Sequence, residues 1–144
     1  FFKLLMHVIL IVLCCILFIA LIIFGMIYQR KMRLKRQEQH LKGEPKEALL
    51  YALSRMDALC EAENLEKIST AADAAALQES FPTITQEKLM WLQDLLQELT
   101  FSNHAYGTEL RDETAQLYRD MASDATARQS RLKRMWYRYG RCFC

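Results

Sequence analysis

LLMHVILIVLCCILFIALIIFGMIY, residues 4–28, is the stretch on which the reading of this chain turns. It holds 25 residues, and only His7 and Gly25 are not apolar. At a rise of about 1.5 Å per residue, a helix of this length measures about 38 Å and crosses a hydrocarbon core of about 30 Å with some tilt. Inside lipid every backbone N–H and C=O needs a partner from its own segment, so a single span is helical. A secretory signal is the competing reading. Its apolar part runs about 7–15 residues and gives way to a small-residue cleavage site. Here the run is longer, ends in Met26, Ile27 and Tyr28, and passes into Arg30, Lys31, Arg33, Lys35 and Arg36. That is a stop-transfer pattern.

The same basic cluster sets an expected orientation. Five Lys/Arg follow the span and only Lys3 precedes it. The positive-inside rule then places residues 29–144 in the cytoplasm and the N-terminus outside. The sequence opens Phe1-Phe2-Lys3 with no Met. It reads as the tail of a longer protein with material beyond the membrane; a processed or trimmed chain is the alternative.

Charge divides the rest. Residues 1–36 carry six Lys/Arg and no Asp/Glu, residues 37–127 carry seven basic and seventeen acidic residues, and residues 128–144 carry six basic and none acidic. An acidic body lies between two basic ends. Juxtamembrane Lys and Arg are drawn to anionic headgroups by roughly 1 kcal/mol each, whereas the acidic body is repelled. Its sign also speaks against nucleic acid as the body's partner. Cys14 and Cys15 lie in the span, Cys60 in a helical stretch, and Cys142 and Cys144 at the end, so the five cysteines form no disulfide framework. The terminal C-x-C resembles the prenylation signal of some small GTPases, but nothing else in the chain does.

Residues 29–43 read as a helical continuation of the span that gives way at Gly43. Pro45 suits the first turn of the next helix. There Leu49, Ala52, Leu53, Met56 and Leu59 step by three or four along one face, to an end near Asn64. Ser69 or Thr70 is the expected cap of a shorter, Ala-rich helix reaching Glu79 and stopped by Phe81-Pro82. Thr83 with Gln86 has capping-box spacing, and Thr85 is the competing cap. Leu89, Leu92, Leu95, Leu96 and Leu99, with Trp91 beside them, form the strongest core stripe, in a helix ending near Thr100. Thr108 is the expected cap of a last helix of about thirty residues, in which Leu110, Thr114, Leu117, Met121, Ala125, Arg128, Leu132, Met135 and Tyr139 share one face. No strand-like alternation or internal repeat occurs. The expected fold class is all-α: one transmembrane helix and a bundle of about four helices.

Catalytic constellations are weak. Cys60, His104 and Asp112 or Asp120 supply the residue types of a Cys–His–Asp set, but Cys60 reads as a buried, inert thiol. His104 reads as a loop residue that hydrogen-bonds or caps a helix end. His7, His40 and His104 are too dispersed for a metal site, and there is no HExxH, GxGxxG or GxxxxGK[ST]. Cys142 and Cys144 are half of a thiolate site. The tail is more suggestive. Arg131, Lys133, Arg134 and Arg138 interleave with Trp136, Tyr137 and Tyr139, a pattern that suits a membrane interface. RNA binding by the same residues is a weaker reading. The alternative is that Leu132, Met135 and Tyr139 continue the core and the arginines are simply solvated.

The layout as a whole is similar to one family. A span, a basic stop, an acidic helical region, Phe101-Ser102-Asn103-His104, a Thr108-Glu109-Leu110 helix start and a Trp/Tyr/Arg-rich end together resemble the C-terminal region of bacterial membrane-bound transglutaminase-like proteins. The resemblance implies an extracytoplasmic catalytic domain upstream of the last span, so none of that family's Cys–His–Asp chemistry transfers to residues here. Related tails occur beside MoxR-type ATPases, which makes such a system the implied cytosolic partner.

The expectation is thus a non-catalytic unit: a transmembrane anchor at 1–28, a basic juxtamembrane linker at 29–43 and a cytosolic helical interaction domain at 44–144. Its partners are the lipid bilayer and a cytosolic protein, with no cofactor, metal, nucleic acid or small-molecule substrate. The membrane-interface residues are Arg30, Lys31, Arg33, Lys35, Arg36, Arg131, Lys133, Arg134, Trp136 and Arg138. A complete single-pass adaptor or regulator is the alternative; a thiol enzyme using Cys60 is a third.

Overall fold

The computed structural model describes residues 1–103 and 105–143 and contains helices but no strand among them. The first helix, α1 (Phe2–Leu41), runs unbroken for 40 residues, about 60 Å. It is the one described helix long and apolar enough to cross a membrane, and none of its apolar window is buried against the rest of the chain. Its last turns behave differently: Gln37 and Leu41 are buried by the bundle. The helix stops at Lys42 and Gly43, whose carbonyls both accept from Arg111 Nη1 at 3.1 Å. A guanidinium from a distant helix thereby satisfies groups that a helix end leaves without partners.

Five further helices follow: α2 (Pro45–Ala62), α3 (Ala75–Ser80), α4 (Gln86–Phe101), α5 (Thr108–Ala127) and α6 (Arg131–Met135), the last running on into a π-helical segment (Trp136–Arg141). Helix α2 is the hub, with Leu49, Ala52, Leu53, Met56, Leu59 and Cys60 all buried against its neighbours. Each fully buried leucine of this face contributes roughly 2 kcal/mol of apolar burial. Pro45 stands at the start of α2 as its spacing predicts. The end of α2 is a Schellman motif. Asn64 adopts φ 57°, its N–H donates to Glu61 O at 3.1 Å, and Leu65 N–H donates to Cys60 O at 2.9 Å.

Side-chain contacts give the directions. His40 of α1 stacks on Tyr51 of α2 with ring centroids 4.9 Å apart, so α2 folds back along α1. Lys46 Nζ donates to Ser102 O at 3.2 Å, which sets the end of α4 beside the start of α2. Arg111 meets Gly43, and Gln129 Nε2 donates to Glu63 Oε1 at 2.9 Å, so α5 runs parallel to α2 from start to end. The bundle therefore has four long members: the end of α1, then α2, α4 and α5. Both α2 and α5 run back toward the span, and α6 with its π-helical extension lies at the span-proximal end.

Several local expectations change. The Ala-rich helix starts at Ala75 rather than after Ser69 or Thr70. Ser69 is instead bound to Asp57 of α2 through its N–H at 3.4 Å and its hydroxyl at 3.1 Å. Gln93 of α4 holds the same loop by donating to Ile68 O and Ala71 O at 2.9 and 2.7 Å. Three backbone groups that a helix would have satisfied are met by tertiary side chains. At α4 the cap is Thr85, which accepts from Lys88 N–H, not a Thr83–Gln86 box; Gln86 accepts from Ala74 N–H instead. Gly107 precedes α5 in the cap position, and Thr108 is the first helical residue.

The largest change is at the end. The expected thirty-residue helix breaks after Ala127, and Ser130 caps a new helix. Leu110, Thr114, Leu117, Met121 and Ala125 face the bundle as their spacing predicts, but Leu132 and Met135 are 81% and 54% exposed and do not continue the core. Tyr137, Cys142 and Phe143 are buried in their place.

Candidate membrane interface

The turn at residues 128–130 lets the chain end fold back onto α2. Tyr137 donates its hydroxyl to the Glu63 carboxylate in a short hydrogen bond. Glu63 also accepts from Gln129 and faces Lys133 Nζ at 3.6 Å. Burial first, and then the Glu63 hydrogen bond and charge, hold the Tyr137 phenol well above its usual range. Phe143 packs edge-on to Tyr137 with centroids 5.5 Å apart, under the Arg55 guanidinium at 4.8 Å. Arg55 Nη2 donates to Arg141 O and Cys142 O at 3.1 Å each. Below these lies a buried relay: Gln37 Nε2 donates to the Tyr118 hydroxyl at 2.8 Å, and that hydroxyl donates to Phe143 O at 3.3 Å. α1, α2, α5 and the tail thus share one polar seam.

This anchorage exposes one face of the tail. Leu132, Met135, Trp136, Tyr139 and Gly140 form an apolar cleft of about 340 Å³ with Met26 of α1. Met26 lies sixteen residues before Lys42, about 24 Å up the helix axis, at the end of the span. Gly140 lets the Trp136 ring lie close, because a Cβ at this position would meet that ring at 2.8 to 3.0 Å. Trp136 itself is 59% exposed. An amphipathic ring beside the last turn of a span has the placement that the headgroup layer favours.

The first of the two basic groups picked out by the sequence reaches the tail along this seam. Arg30 lies 5.4 Å from the centroid of the Tyr139 ring, and Arg33 Nη1 donates to Gly140 O at 3.4 Å. Lys31, Lys35, Arg36, Arg131 and Arg138 are exposed. Two others serve the fold. Arg134 donates to Thr126 O at 3.2 Å and Gln129 O at 3.4 Å, closing the end of α5, and Lys133 sits between Glu63 and the Tyr137 ring. Sequence reasoning missed Leu132 and Met135 as interface residues because they fall in register with the core stripe of α5. It missed Met26 because nearly every residue of the stretch 4–28 is apolar.

Of the candidate cysteine set, Cys60, Asp112 and Asp120 lie within the described residues. Cys60 is fully buried, and burial first, then the Asp57 charge, push its thiol up to about 12. Asp112 pairs with Arg111 at 3.0 Å, and Asp120 accepts from Gln116 at 2.9 Å. His104 and Cys144 lie outside the described residues, and with them the His104 cap and the Cys142–Cys144 pair. No group of three or more His, Cys, Asp or Glu suited to a metal occurs among the described residues.

A second surface lies on the far side of the bundle. Trp91 of α4 and Leu117 of α5 line an open groove of about 470 Å³, edged by Glu87, Glu113, Asp120 and Lys88. Compared with protein-family models, curated proteins and solved structures, the chain matches none.

Proposed function

We propose that this chain is a non-catalytic membrane anchor that holds a helical interaction domain against the cytoplasmic face of the bilayer. The observation that carries the reading is the exposed apolar cleft of Leu132, Met135 and Trp136 at the level of Met26. In water such a patch is a liability; beside a span it becomes an interfacial foot. The basic residues around it add attraction to anionic headgroups. The Trp91 groove, with its acidic rim, is the surface this reading offers to a cytosolic protein. The resemblance to transglutaminase-like membrane proteins adds an outward catalytic domain, and with it a MoxR-type ATPase system as the partner class; sequence layout alone supports that addition.

The test uses the full chain with Trp91→Phe, which leaves Trp136 as the single tryptophan. Reconstituted with lipids brominated near the headgroup, Trp136 is expected to be strongly quenched, and Leu132→Gln with Met135→Gln to reduce the quenching. Unquenched Trp136 removes the interfacial foot. The proposed outward domain is read separately: an antibody to the tail should detect, in native membranes, a species several times heavier than 16.9 kDa.

A further inference from the structure

Below the apolar cleft, a second cleft of about 290 Å³ opens between α1, α2 and the π-helical segment. Its lining brings together Arg33, Arg36, Arg55 and Arg141, with His40 and Tyr51 at its side, and includes no carboxylate among the described residues. The acid nearest in sequence, Glu38, is engaged by Arg119 at 3.1 Å and Lys42 at 3.5 Å. Four arginines lining one small cleft bring like charges together. Backbone carbonyls orient two of them: Arg33 on Gly140 O, and Arg55 on Arg141 O and Cys142 O. Carbonyls supply no counter-charge. Arg55 Nε is buried and has no hydrogen-bond partner among the described residues, and a buried donor left so is costly.

We infer that this cleft binds a phosphate-bearing anion. Guanidinium forks match phosphate oxygens in pairs, which a scatter of lysines does not. Pockets for drug-sized ligands start at about 300 Å³, so this cleft takes one phosphate group or a phosphorylated headgroup and no dinucleotide. Arg33 lies five residues beyond Tyr28, about 7.5 Å along the helix, within the headgroup layer if the span ends at Tyr28. The headgroup source rests on the membrane reading proposed above; the anion site itself does not.

The experiment has two arms, both on the full chain in neutral detergent. Calorimetric titration with inorganic phosphate reads the site without any lipid. Native mass spectrometry from micelles doped with phosphatidic acid or phosphatidylcholine reads retained lipid. Arg36→Gln with Arg141→Gln changes two exposed residues of the cleft and is expected to weaken binding at least about tenfold. Lys67→Gln with Arg128→Gln removes the same charge at two exposed residues outside the cleft and outside the proposed interface and is expected to stay within about twofold. Phosphate binding with this pattern supports a soluble ligand; selective retention of phosphatidic acid with this pattern supports a headgroup. If the unsubstituted chain binds neither, or if the Lys67 and Arg128 pair matters as much as the Arg36 and Arg141 pair, the site is overturned. The first of these outcomes does not depend on whether any variant folds.

Discussion

Cys60 shows how one buried side chain ties stability to pH. The thiol's ordinary value is 9.0, and in the folded chain it is pushed up to about 12. The unfolded chain releases this proton first. Stability is therefore intact below pH 9 and falls as pH rises from there toward 12. Tyr137, also held above its usual 10.0, adds to the same loss further up. Urea unfolding at pH 8 and pH 10 is expected to show Cys60→Ala losing roughly 1 kcal/mol less than the parent across that interval. Peptide-mapped alkylation should label Cys60 only after denaturation, and rapid labelling in the folded chain would revive the thiol-enzyme reading. Asn64 is a second such residue. Its φ of 57° closes α2, and a β-branched side chain tolerates that region poorly. Asn64→Val is expected to cost about 1–2 kcal/mol, measured by the unfolding midpoint.

The C-terminal element shows where periodicity misleads. Leu132, Met135 and Tyr139 keep the step of the α5 core stripe, and one-dimensional spacing extends the helix through them. The chain breaks instead because Tyr137 and Phe143 bury against α2, Tyr118 and Arg55, a gain that exists only when those partners are in place. The price is a left-handed Cys142 with φ 51°, steadied by Arg55 on its carbonyl and by Phe143 N–H donating to Tyr137 O at 3.1 Å. Inversion of the face follows: residues in register with the core end up outward. Gly140→Ala is expected to push the Trp136 ring off its bed, since the added carbon meets the ring at 2.8 Å. In the Trp91→Phe background, a shift in Trp136 emission with unchanged helical circular dichroism would report it; unchanged emission would mean the ring keeps its place.

At the scale of the molecule, α1 passes from its apolar stretch into the bundle without a break in the helix. Residues 29–41 remain helical, and α1 is fixed to α5 by Arg111 on its terminal carbonyls and by the Arg119–Glu38 pair at 3.1 Å. The exposed pair alone is worth little; its effect lies in acting with the capped helix end and the buried Gln37–Tyr118 bond. Spin labels at Lys35 and Glu113 are expected to give a narrow distance distribution, broadened by Arg111→Ala with Arg119→Ala. An equally narrow distribution in that variant would move the joint to the buried Gln37–Tyr118 bond. A narrow distribution in the parent would mean that a tilt or rotation of α1 is carried into the bundle and its Trp91 groove.

Much of this was legible along the chain. The apolar stretch at 4–28, the basic stop, Pro45 at a helix start, and the stripes Leu49–Leu59 and Leu89–Leu99 rest on local propensity and period, which a helix expresses without reference to its surroundings. What only the tertiary structure decided was the break after Ala127, the capture of Ser69 by Asp57, the outward turn of Leu132 and Met135, and the gathering of Arg33, Arg36, Arg55 and Arg141 around one cleft. Each depends on side chains tens of residues apart meeting after α2 and α5 have packed. Spacing along a single helix carries no record of such a meeting.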